Sequence, residues 1–143
     1  MKTSNTRLSA AALLLACGIW NVSAQTLTVA HAAAGALEAE ITAALDGAEA
    51  TTVTRLVITG ETLDNTDATY LKTTFKTHLE ELDITGVAFT GNNLTDKLCQ
   101  QMTALKTVSL PDNLAKIGAY AFDNCANLET VNWGSVALRI PKM

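Results

Sequence analysis

The sequence predicts an α/β solenoid, a stack of short parallel strands closed at its start by a helix, and three observations predict it. A phrase with apolar residues at its first, fourth and sixth positions recurs as Val53-Leu56-Ile58, Leu79-Leu82-Ile84, Leu105-Val108-Leu110 and Leu128-Val131-Trp133. The first members of these phrases are 26, 26 and 23 residues apart. Ahead of the first phrase, Leu37, Ile41, Ala44 and Leu45 fall on one face at helical spacing.

In chain order, residues 1–24 read as a secretory signal peptide. Lys2 and Arg7 precede an unbroken apolar run, and Val22-Ser23-Ala24 ahead of Gln25 supplies small residues for cleavage. The run is too short to span a bilayer, which needs about 20 apolar residues. Leu14-Leu15-Ala16-Cys17 also fits a lipobox, so a lipoprotein anchored through an acylated Cys17 is the alternative. We favour plain secretion, because the second lipobox position is usually small and an ordinary cleavage site follows. Both routes lead to a secreted or cell-surface protein.

Residues 25–52 form a leader segment and an N-terminal capping helix. The helix is expected over 34–46, laid across the first strand and stopped by Gly47. His31 falls in the segment before it, expected to be mobile. Residues 53–143 carry the repeats, about four strands with the last repeat incomplete. Alternate strand residues point to opposite faces, so each phrase turns its fourth and sixth residues into one core. The spacing lies within the roughly 20–29 residues of leucine-rich repeats.

After the first strand, Tyr70, Leu71, Phe75 and Leu79 form a helical stripe with Asp67 as N-cap. Asp64, Asn65 and Asp67 could attract Ca²⁺, but they lack EF-hand spacing, so capping and turn chemistry is preferred. His78 is expected to be exposed at the helix end. After the third strand, Pro111 closes the ladder, Leu114 and Ile117 return to the core, and Gly118 suits a tight turn. A short helical or 3₁₀ segment, "AYAFDNC", would turn Ala121, Phe122 and Cys125 inward. The 23-residue spacing projects Leu110–Ile117 onto Trp133–Ile140, the start of a further coil with Pro141 in place of Gly118. With no capping unit after it, a fragment of a longer array is expected.

The stretch "SLPDNLAKIGAYAFDNCANLETV" resembles the BspA-like group of bacterial surface leucine-rich repeats in its proline after the strand, its Ile-Gly, its Ala-Phe and its Cys before the next leucine. One repeat matches closely. Residues 79–104 match loosely, since "GVAFTGNNLTDKLCQQM" lacks the Pro and the Ile-Gly. The resemblance implies a secreted or surface-attached solenoid used in adhesion or protein binding, without an active site.

Composition narrows the function classes. Without Lys2 and Arg7, eight basic residues remain against fourteen acidic ones, a net charge of −6. So acidic a chain lacks the basic patch that nucleic acid or anionic lipid requires. Cys99 and Cys125 occupy different slots of adjacent repeats and are expected as free, buried thiols. Two distant histidines without ligand spacing point to no zinc site. No nucleophile–base pair or phosphate loop is legible, so neither an enzyme nor a cofactor is expected.

Binding has a definite geometry. The outward strand residues form one column of Arg55, Glu81, Thr107 and Thr130 and another of Val57, Asp83, Ser109 and Asn132. Glu81, Asp83, Thr107, Ser109, Thr130 and Asn132 are therefore the candidate face for a protein or glycan ligand at the cell surface. The columns lack the aromatic anchors typical of hot spots, and Arg55 beside Glu81 is expected to form an ordinary cross-strand ion pair. The alternative is a capping or stalk segment of a longer repeat protein, with no ligand of its own.

Overall fold

The computed structural model describes residues 25–133 and 136–139. The fold is α/β, built on one open six-stranded sheet in the order β1 to β6. The strands are β1 (Gln25–His31), β2 (Val53–Gly60), β3 (Glu81–Val87), β4 (Thr107–Leu110), β5 (Thr130–Trp133) and β6 (Val136–Arg139). The first five run parallel; β6 returns antiparallel along β5. Helix α1 (Leu37–Leu45) lies in the β1–β2 crossover and α2 (Asn65–Phe75) in the β2–β3 crossover.

The four expected strands form where the apolar phrases place them. Leu27, Leu56, Leu82, Val108 and Val131 align in register as one row of the core. All five are buried. Against that row pack Leu37 and Ile41 of α1 and Leu71 and Phe75 of α2, each fully buried. The helices thus cover the apolar edges that parallel strands cannot bury themselves.

Several expectations need correction. Residues 25–31 are a fifth parallel strand, not a leader, so α1 follows a strand instead of preceding the first one. His31 is buried at the end of β1. The α2 N-cap is Asp64, whose side chain accepts from Thr66 N and Asp67 N. Asp67 sits at the third helical position, and its side chain accepts from Asp64 N to complete a capping box. His78 is half-buried, its ring 5.5 Å from that of Phe75.

"AYAFDNC" makes successive turns, not a helix. Ala121 N, Asp123 N and Cys125 N each bond the carbonyl three residues back, while Tyr120 and Asn124 adopt φ of 56° and 59° and break helical continuity. Ala121 is buried; Phe122 and Cys125 are partly buried against the core. A Cβ on Gly118 would stand 2.4 Å from Leu94 O and 2.6 Å from Asp96 N. Close backbone approach, with no positive φ, is therefore what requires glycine there.

The last expected coil is also corrected. Val136 pairs with Trp133 and Arg139 with Thr130, so the chain doubles back along β5 instead of beginning a further parallel turn. Residues 1–24, where a signal peptide or the Cys17 lipobox is expected, and Pro141 lie outside the described residues.

A second backbone ladder joins residues outside the strands. Leu94 N, Lys97 N, Cys99 N and Gln101 N donate to Lys116 O, Ala119 O, Ala121 O and Asp123 O at 2.7–2.9 Å. The segments that return β3 to β4 and β4 to β5 are therefore stacked as their strands are.

Candidate functional site: the outer sheet face

Parallel pairing aligns the outward residues without offset. Thr26, Arg55, Glu81, Thr107 and Thr130 form one row. Thr28, Val57, Asp83, Ser109 and Asn132 form the next. The six candidate residues Glu81, Asp83, Thr107, Ser109, Thr130 and Asn132 are thus brought together on one face, each half-buried. Thr26 and Thr28 extend both rows and escaped the sequence analysis. The alternation of Leu27 and Val29 was the available signal, hidden because residues 25–31 read as a leader segment.

The charges on this face are largely self-satisfied. Arg55 contacts Glu81 through Nε and reaches Asp83 Oδ2 through Nη2 at 3.3 Å. Asp83 Oδ1 accepts from Thr85 N at 3.1 Å and from Thr85 Oγ1 at 2.8 Å. Asn132 Nδ2 donates to Ser109 Oγ at 3.2 Å. At the strand starts, Lys106 Nζ lies 2.8 Å from Glu80 Oε2, whose hydrogen bond and charge raise the lysine pKa. A shallow depression of about 310 Å³ opens there, bordered by Thr26, Arg55, Glu81, Lys106 and Thr107. Hydroxyls, carboxylates and an amide in regular rows can hydrogen-bond an extended polar ligand.

The buried histidine builds a different arrangement. His31 Nδ1 lies 2.7 Å from Glu40 Oε2, and Nε2 lies 3.3 Å from both Asp67 Oδ2 and Thr62 O. Both ring nitrogens therefore lie within hydrogen-bonding distance of oxygen atoms from other segments of the chain. Asp67 also accepts from Gly35 N at 2.9 Å and Leu37 N at 3.0 Å. Burial alone would raise its pKa; three backbone N–H groups and His31 outweigh that and hold it below the usual carboxylate value. Both oxygens of Asp67 are engaged by protein donors, so Asp64 and Asp67 serve as a cap with Asn65 as the first helical residue, and this cluster ties β1 to α1 and α2.

Both thiols are free, and Cys125 Sγ donates to Cys99 O at 2.9 Å. Among the described residues, no cluster of three or more His, Cys, Asp or Glu is disposed to hold a metal ion, and no helix is long and apolar enough to cross a membrane.

No protein-family model, curated protein or solved structure matches the chain.

Proposed function

We infer that the chain is a non-catalytic leucine-rich-repeat solenoid of the BspA-like kind, secreted or held at a cell surface, whose outer sheet face binds protein or glycan. The observation that carries this is the register: Glu81–Thr107–Thr130 and Asp83–Ser109–Asn132 stand in two rows on one face. Side chains that follow one another along each row at the strand spacing of about 4.8 Å suit an extended ligand with repeating polar groups. The second backbone ladder supports the solenoid, because stacked coils repeat on their return side as well as in their sheet. The leader expected at residues 1–24 would deliver the face to the cell exterior, and acylation of Cys17 is the alternative attachment.

One observation favours a purely architectural role. Arg55, Glu81 and Asp83 satisfy one another, and no aromatic side chain stands in either row. The two are separated by replacing Glu81, Asp83 and Asn132 together with Gln, Asn and Ala. Glycan and extracellular-protein arrays probed with wild type and the triple variant should show at least one ligand retained by the former and weakened about tenfold or more in the latter. Equal capture by both would end the assignment of the face, and capture of nothing would favour the stalk.

A further inference from the structure

The sheet face is not the molecule's only recess. Between α1 and α2 lies an open groove of about 610 Å³, whose walls include Glu38, Thr66, Thr69, Tyr70, Thr73 and Thr74. None of its lining residues is basic. The threonines look like indifferent hydroxyls until their protons are followed. Thr69 Oγ1 donates to Asn65 O at 2.8 Å, and Thr73 Oγ1 donates to Thr69 O at 3.0 Å. On α1, Thr42 Oγ1 donates to Glu38 O at 2.7 Å, and the Thr42 and Thr74 side chains hydrogen-bond Tyr70.

With their protons committed to helix carbonyls, the Thr69 and Thr73 hydroxyls present lone pairs to an incoming group. Glu38 adds an exposed carboxylate. Tyr70 adds an aromatic ring, set by an edge-on contact with Phe75 at 6.2 Å. Acceptors, a negative charge and an aromatic ring, with no cation to oppose them, select positive donor-rich groups. An anion would meet Glu38, and a neutral hydroxyl ligand would forgo the charge.

We propose that the groove between α1 and α2 binds an organic cation, an alkylammonium or guanidinium group, held by Glu38, the Tyr70 ring and the acceptor oxygens of Thr69 and Thr73. The site is independent of the sheet face and lies on the helical side of the molecule.

Backbone-amide NMR titration at low ionic strength tests it, with butylammonium as the probe and butanol as its neutral counterpart. Butylammonium should give saturable shifts centred on Glu38, Thr69, Tyr70 and Thr73, with affinity on the order of millimolar for so few exposed contacts. Butanol should leave these amides in place. E38Q should weaken binding about three- to fivefold, as expected for one exposed charge pair. Y70L should weaken it further, and Y70F should retain it; unchanged spectra elsewhere report that each variant is folded. A lysine peptide binding more tightly than butylammonium assigns the cation to a protein partner, and equal affinity assigns it to free amines. Absence of localised saturable shifts, an equal response to butanol, or undiminished binding by E38Q overturns the proposal.

Discussion

Replacing Asp67 should show how strongly a few polar atoms hold this fold together. The side chain is 1% exposed and receives N–H groups from Gly35, Leu37 and Asp64, with His31 at 3.3 Å. In D67A, the Leu37 N–H is stranded in a fully buried position, which costs about 1–3 kcal/mol. The Gly35 and Asp64 groups lie nearer the surface, where water can replace part of the loss. His31 keeps Glu40 but loses its second carboxylate. With three N–H groups losing a carboxylate acceptor together, one of them fully buried, we expect D67A to cost about 2–4 kcal/mol. D67N retains one acceptor oxygen and should cost less.

Urea denaturation at fixed temperature measures both variants. The pH dependence supplies a second reading with a definite sign. The folded pKa of Asp67 lies below its ordinary value of 3.8, so its stabilisation is present above about pH 4 and is lost as pH falls through the folded pKa. The difference between wild type and D67A should therefore shrink below about pH 4. A loss under about 1 kcal/mol at pH 7, or an equally large difference at pH 2, would refute the role given to this carboxylate.

Two further outcomes follow from packing and burial. G118A places a methyl group 2.4–2.6 Å from the backbone at Leu94–Asp96, which neither a rotamer change nor a flexible neighbour relieves. It should cost about 1–3 kcal/mol by denaturation, whereas G47A, whose Cβ meets nothing within 4 Å, is strained only by its φ of 89° and should cost less. Burial pushes the Cys99 thiol pKa up and raises that of Cys125 to about 11. A thiol-specific reagent at pH 8 should therefore label neither at an appreciable rate until denaturant is added, and prompt labelling of the folded protein would contradict the burial.

The parts of the fold legible in the sequence are those governed by apolar period. Leu82, Val108 and Val131 repeat because each must face the same core, and the two outward rows then follow from strand alternation alone. Helix α1 was legible for the same reason, through Leu37 and Ile41. What escaped was decided by other physics. In strand β1, Leu27 lies 29 residues before its partner Leu56, longer than the later intervals, and the expectation of a signal peptide ending at residue 24 suggested a mobile segment there. The place of His31 depends on Glu40 and Asp67, which no local pattern joins. The antiparallel return of β6 competed with a projected repeat, although Gly134-Ser135, between Trp133 and Val136, is a hairpin dipeptide in the sequence. Choosing the N-cap of α2 between Asp64 and Asp67 required knowing which carboxylate had buried N–H groups to satisfy.

The loosely matching stretch 79–104 shows why repetition in structure outlasts repetition in sequence. It lacks the Pro and Ile-Gly of its neighbour, yet its backbone takes the same path. Lys97 and Gln101 adopt φ of 58° and 65°, and Tyr120 and Asn124, each 23 residues later, adopt 56° and 59°. Backbone hydrogen bonds from 94–101 to 116–123 hold the two segments together without consulting side chains. Packing then constrains particular positions, among them buried Leu94, Leu98, Cys99, Met102 and Ala121, and Gly118, where a Cβ would meet the backbone of Leu94–Asp96. Outward residues such as Glu81, Asp83, Thr107 and Asn132 carry little of that constraint and are free to differ from strand to strand. On the binding function we propose, specificity therefore belongs to the residues in which the repeats disagree, since those in which they agree are occupied in building the core.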